Sequence, residues 1–191
     1  MTKKKLGPLP MLWPHPAVLV GCIVDGKPDF AAVAWTGIAA STPPSVTIAL
    51  QHHRYSLKGI YQNLAFSINV PSQDLVKETD YCGIISGADT DKVKDCGFTV
   101  FYGDLDMAPL IEQCPINLEC KVSHILNLGS HALVIGTILE THFSEDCLTD
   151  GKPDIDKVRP FAFGPGTYHG IGKAFAYAFK IGKEIKSGRS I

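Results

Sequence analysis

The sequence predicts a mainly β fold: a closed barrel with a few helices at its periphery. Three observations predict it. Short apolar or alternating runs follow one another, separated by Gly, Pro and Asp. Segments with helical spacing are few and short. No G-x-G-x-x-G follows a strand, so the signature of a dinucleotide-binding parallel sheet is missing.

Residues 17–24 are a continuous apolar run, and Asp25-Gly26 after them is a hairpin signal. Residues 30–40 resume as a second strand, rich in Ala and carrying Trp35, until Thr42-Pro43-Pro44 breaks it. Residues 45–51 (S-V-T-I-A-L-Q) are a third, with Val46, Ile48 and Leu50 alternating to one face. Residues 65–70 (A-F-S-I-N-V) are a fourth, with Phe66, Ile68 and Val70 on one face. Residues 116–126 and 131–141 make a long pair around Asn127-Leu128-Gly129-Ser130, and residues 161–163 (F-A-F) are a short late strand. Helical spacing is found at 55–62, through Leu57, Ile60 and Tyr61. It recurs at 73–81, behind the N-cap Ser72, with Leu75, Val76 and Thr79 as the inner stripe. Residues 91–95 read as one turn, and 177–186 as a Gly-interrupted helix.

The length of 191 residues fits one domain, 1–191, with its core at about 14–183. Hydrophobic residues are 45% and charged residues 19%; the low charged share points to extra buried surface or a subunit interface. A net charge of −1 points away from nucleic acid and from membrane surfaces as partners. The basic ends (Lys3, Lys4, Lys5; Lys180, Lys183, Lys186, Arg189) and the acidic stretch 140–156 read as solvated ends and loops. No apolar run approaches a membrane span, and Pro8, Pro10, Pro14 and Pro16 break any leader-like segment, so a cytoplasmic location is expected. The six cysteines form no C-x-x-C and fit no zinc spacing; reduced thiols and no metal are expected, with Cys114 and Cys120 the closest pair.

Four clusters could carry chemistry. Gln51-His52-His53-Arg54-Tyr55-Ser56 ends a strand and opens a helix, where free N–H groups attract an anion. Arg54 suits a phosphate bidentately and Ser56 adds a hydroxyl; the other reading is a surface loop with solvated histidines. Trp35-Thr36-Gly37 precedes Ser41-Thr42-Pro43-Pro44, and Gly37 allows a flat ring close to the backbone; a plain core tryptophan fits as well. Asn69 ends an otherwise apolar strand and needs a partner, either a ligand or the next turn. Ser86-Gly87-Ala88-Asp89-Thr90-Asp91-Lys92 is a polar loop that suits a phosphate, a ring edge or a simple connection.

Together these clusters give the chain a resemblance that runs from about Pro14 to about Lys183. The motifs are P-H-P-A-V-L-V-G, A-W-T-G with S-T-P-P-S-V, R-Y-S-L-K-G-I with A-F-S-I-N-V-P-S, S-G-A-D-T-D-K, and Y-H-G-I-G-K. In their order and spacing the chain resembles the flavoredoxin-like branch of the flavin reductase-like, FMN-binding split-barrel proteins. The resemblance implies a split β-barrel that forms a homodimer, with FMN near the interface. It implies that Arg54 and Ser56 hold the phosphate, and that Trp35, Thr36 and Gly37 line the flavin. Gln51 and His52 would lie beside the ribityl chain or ring, and Asn69 would contact either. Ser86, Gly87 and Lys92 would close over the cofactor, with Tyr168 and His169 near it. Two departures are Val93, where the family's D-K is usually followed by an aromatic, and the Gln51-His52-His53 run.

No protein nucleophile, triad or general-base pair stands out, which fits a protein whose flavin does the chemistry. The expected activity is electron or hydride transfer from NAD(P)H or a redox protein to an acceptor. Two rivals are a haem-handling enzyme, using one of seven histidines as axial ligand, and a flavin store or sensor without turnover.

Overall fold

In the computed structural model, which describes residues 1–187, the chain folds around one antiparallel seven-stranded sheet. In chain order its elements are β1 (Val18–Val24), β2 (Lys27–Val33), β3 (Thr36–Ser41), β4 (Pro44–Gln51), α1 (Tyr55–Asn63), β5 (Ala65–Val70), α2 (Val76–Ile84), α3 (Lys92–Cys96), β6 (Ile116–Leu128) and β7 (His131–Phe143). The strands pair in the order β2-β1-β5-β6-β7-β4-β3. Beside them β8 (Phe161–Phe163) pairs with β9 (Tyr168–Gly170) and with His15–Pro16.

The expected strand 30–40 is two strands. It breaks at Ala34 and Trp35, and the break sends the chain from one edge of the sheet to the other. Val33 and Thr36 are three virtual bonds apart, so they lie within about 11 Å. The edge strands β2 and β3 must therefore come almost together, and the sheet curls into a barrel that stays split between them. The backbone holds this corner tightly: Ala49 N donates to Trp35 O at 2.8 Å.

The turn Asp25-Gly26 joins β1 to β2 with φ of +50° and +80°, the signs a two-residue type I′ turn demands. The β6–β7 hairpin is longer than its pattern suggested. Leu128 pairs with His131 across Gly129-Ser130, so each strand has 13 residues.

The barrel interior holds Val20, Cys22, Ile48, Leu50, Ile60, Phe66 and Val134. Each large side chain there contributes about 1.5–3 kcal/mol on burial. Leu19 faces the other way, into a second cluster with Phe30, Cys82, Phe98, Ile111 and Cys114 under α2 and α3. With both faces covered, β1 has the unbroken apolar run seen in its sequence. α1 seats Gly59 against the Ile23 carbonyl, where a Cβ would come within 2.3 Å of the oxygen. That close approach fixes where α1 begins, and with it the position of Arg54.

The helix expected at 73–81 starts as a 3₁₀ turn, Gln73–Leu75, and continues as α2. Ser72 accepts from Asp74 N at 3.3 Å, the predicted cap. The expected helix 177–186 is a short 3₁₀ turn at Ile181–Lys183 followed by Glu184–Ser187. Arg189, counted with the basic C-terminal tail, lies outside the described residues.

Candidate functional site

The break at Ala34-Trp35 opens a cleft of about 460 Å³ at the barrel's split. That size is within the range of small-molecule sites. Its walls come from the β2–β3 corner, the end of β4, the start of α1, the face of α2 and the β8–β9 pair. Much of the lining is small: Ala17, Ala32, Ala34, Ala49 and Gly83. Such a wall leaves a slot for something flat.

Larger groups stand around this slot. Trp35 stacks on His131 with ring centroids 4.6 Å apart and planes 26° apart. Arg54, at the N-cap of α1, donates from Nη1 to Gly83 O at 2.7 Å. That bond ties α1 to the end of α2 and brings a permanent cation to the cleft wall. Across from it the Tyr168 hydroxyl donates to Asp80 Oδ1 at 2.9 Å. Burial, then the neighbouring Asp80, pushes the Tyr168 hydroxyl up to about 12, so it stays a proton donor at neutral pH.

Four residues singled out in the sequence line this cleft: Trp35, Gln51, Arg54 and Tyr168. Thr36 and Gly37 follow Trp35 on edge strand β3, with open space where a Gly37 side chain would stand. His52 lies on the adjoining loop, with Nε2 3.1 Å from Gly129 O.

The remaining residues have partners inside the protein and do not line the cleft. Ser56 is buried and donates its hydroxyl to Asp29. Lys92 is buried as well, donating to Phe30 O at 2.7 Å with Asp29 Oδ1 at 3.4 Å. Asn69 is wholly buried; its amide donates to Leu19 O and Ser67 Oγ, and its oxygen accepts from Ile111 N and Asn117 Nδ2. Ser86 Oγ accepts from Ala88 N and closes its own turn. Gly87 packs against the Asp29 carboxylate in a second hollow with Tyr55 and Asp91.

The sequence reading had not singled out Asp80 and Gly83 or the alanine wall, and it weighed His131 only as a metal ligand. His131 had a usable signal: it opens the strand that pairs with Gln51. Among the described residues no His, Cys, Asp or Glu cluster is arranged to hold a metal. No described helix is long and apolar enough to cross a membrane.

The model of the flavin reductase like domain matches residues 11–172. The flavoredoxin of Methanosarcina acetivorans is 35% identical and superposes with a TM-score of 0.92 over 97% of this chain and 100% of that one. The flavoredoxin of Desulfovibrio vulgaris (Miyazaki F) is 38% identical, with a TM-score of 0.89 over 95% of this chain and 100% of that one. An uncharacterized protein of Archaeoglobus fulgidus is 31% identical over 157 residues, 82% of this chain and 87% of its own.

Proposed function

The chain belongs to the flavin reductase like domain family, and on that premise we propose that it is a redox flavoprotein that holds FMN in the cleft at the barrel's split. It would pass electrons between a reduced donor, NAD(P)H or a redox protein, and an acceptor. One observation carries this reading: a slot walled by alanine and glycine, with Arg54 at its edge and the Trp35–His131 pair beside it.

The cleft's own chemistry fits the cofactor. The small-residue wall accepts a flat ring system, and Arg54 supplies the charge a phosphate requires. Bound FMN supplies the two-electron chemistry, which no protein side chain here offers. Arg54 would grip the phosphate with the guanidinium N–H groups not spent on Gly83. Trp35 would flank the ring, and the backbone of Thr36 and Gly37 would edge it. Gln51 would bond the ribityl chain. The Tyr168 hydroxyl, oriented by Asp80, would hold a proton at the cleft's rim.

The same reading assigns the exposed strand β3 to a second copy of the chain. Its Ile38 is 71% exposed beside Trp35 at 40%, on an edge that would otherwise present unpaired backbone. A homodimer covering β3 would close the Trp35 side of the cleft.

The deciding experiment is an absorbance spectrum of the purified protein, with and without added FMN, followed by anaerobic titration with NADH and NADPH. A flavin spectrum bleached by either nicotinamide supports a reductase. A flavin spectrum bleached only by a reduced carrier protein supports electron transfer between proteins. A flavin that no donor reduces points to a store, and failure to take up FMN overturns the reading.

A further inference from the structure

Two segments of the chain stand clear of the barrel beside the cleft. Residues 1–14 are exposed throughout, and so are residues 171–185. Both join the barrel at the same place. His15–Pro16 pairs with β8, β8 pairs with β9, and Ala17, Phe163 and Tyr168 of this patch wall the cleft. The first segment therefore arrives, and the second departs, at the cleft's mouth.

Their side chains are unlike those of a solvated arm. Phe175 is 100% exposed, Phe179 94% and Tyr177 77%, and Ile181, Leu12 and Trp13 are bare as well. Large apolar groups gathered this way mark a surface made for a partner. The bonds around Tyr177 are local: Lys180 N and Ile181 N donate to Tyr177 O at 3.3 and 3.2 Å, and Lys180 Nζ lies 5.1 Å from the Tyr177 ring. They leave the aromatic rings free to pack elsewhere.

Charge points to the partner. Residues 1–14 and 171–191 hold eight Lys or Arg against one Glu, a net of +7. Residues 15–170 hold ten Lys or Arg against eighteen Asp or Glu, a net of −8. The chain's overall −1 thus hides basic arms on an acidic barrel. A nucleic acid or an anionic lipid surface would attract the arms and repel the barrel. A second acidic barrel with an apolar edge suits both the lysines and the rings. This chain has such an edge at β3, where Ile38 is 71% exposed beside Trp35.

We propose that two copies of the chain exchange arms: residues 171–185 of each cross to the other and lay Phe175, Tyr177 and Phe179 over its β3 edge and Trp35. This rests on the reading that a second copy covers β3, and it names the segment that does so. Phe175 is five residues beyond the end of β9, a reach of up to about 18 Å. Three aromatic side chains of about 150–250 Å² each make the arm's contact area roughly 450 Å² or more. Two arms, with the surfaces they cover, come to about 1,800 Å², the size of a stable interface. The cleft is then built from two chains. Arg54 and the alanine wall come from one copy, and the cover on the Trp35 side comes from the arm of the other.

The test uses the full chain and needs no added cofactor. Phe175 is replaced by the photo-crosslinking residue p-benzoylphenylalanine, and the illuminated protein is run on a denaturing gel and mapped by peptide mass. The expected result is a covalent dimer in which position 175 is joined to residues 34–41. In sedimentation equilibrium, Phe175→Ser, Tyr177→Ser and Phe179→Ser in one chain should raise the dimer dissociation constant at least about a hundredfold. Salt at about 0.5 M should weaken the wild-type dimer as well, because it screens the arms from the barrel. A crosslink from 175 to 34–41 within a monomer band would overturn the exchange, as would an unchanged dissociation constant in the triple variant. A monomer that sediments with vesicles of phosphatidylserine and phosphatidylcholine would assign the arms to a lipid surface instead. FMN uptake, read separately by absorbance, keeps the two readings apart. A dimer that binds FMN but crosslinks away from 34–41 overturns the arm alone, and the expected crosslink in a protein that takes up no FMN overturns the cofactor alone.

Discussion

Arg54→Ala separates the two jobs that the structure gives this side chain. One is internal: the 2.7 Å bond from Nη1 to Gly83 O ties α1 to α2. The other is the proposed grip on the cofactor phosphate. A hydrogen bond to a charged group is worth about 1.5–3 kcal/mol, which is about 10- to 150-fold in Kd. Loss of the Gly83 bond costs stability of about 1 kcal/mol, and it acts whether or not the ligand carries a phosphate. The two are told apart by titrating the variant with FMN and with riboflavin, following flavin fluorescence at a temperature where the fold is intact. The expected result is a 10- to 150-fold loss for FMN and a change of a few-fold at most for riboflavin. Arg54→Lys keeps the charge but not the planar fork, and should fall between. Equal losses for both ligands would mean that Arg54 only braces the cleft. An unchanged FMN affinity would refute the phosphate assignment.

Trp35→Ala removes the ring that flanks the slot and should weaken FMN by about 0.5–2 kcal/mol through lost stacking and area, read by the same titration. Gly59→Ala gains up to about 1 kcal/mol in helix propensity, but its Cβ would meet the Ile23 backbone oxygen at 2.3 Å. Overpacking of about 1–3 kcal/mol wins, so the thermal midpoint should fall. Glu119→Gln tests a buried carboxylate outside the cleft. Burial would raise its pKa, but the His142 bond at 2.7 Å and backbone N–H groups, including that of Leu105, outweigh it and leave the pKa lowered. With a depressed folded pKa, its contribution is complete above the ordinary value of 4.5 and is lost as pH falls below it. Urea titrations below that value should therefore show a flatter acid limb for Glu119→Gln than for the wild type. Cys114→Ser should lower stability by about 1–3 kcal/mol, since it buries a hydroxyl at a site 1% exposed, and should leave FMN reduction intact in a turnover assay.

The sheet was legible because its strands carry their own period. Val46, Ile48 and Leu50 alternate inward as expected, and Phe66 and Ile68 are buried on β5. The break at Trp35 was not legible. An Ala-rich run reads as one strand whether it stays in line or crosses from one edge of a barrel to the other, because local propensity is the same on both sides of the corner. The motif that suggested a ring contact stands at this corner, and the reason for its place there, the split, came only with the pairing order.

The polar residues divide by a rule that pairing also supplies. Ser, Asn and Lys in apolar surroundings demand a partner, and sequence does not say whether that partner is a ligand or another strand. Asn69 is directly opposite Asn117 in the β5–β6 register, and the two amides bond each other at 2.8 Å. Asp29, on β2, is where the Ser56 hydroxyl and the Lys92 ammonium both arrive, from the first turns of α1 and α3. A buried carboxylate is tolerable only when charge and hydrogen bonds meet it, so Asp29 requires both partners and leaves neither to reach outward. Arg54 differs in kind: its internal partner is a neutral carbonyl that uses one nitrogen of five possible N–H bonds. What remains of its guanidinium, a charge without a buried counter-charge among the residues lining the cleft's α1 edge, would on the proposed reading draw an anionic ligand to this end of the slot and not to the Asp29 hollow.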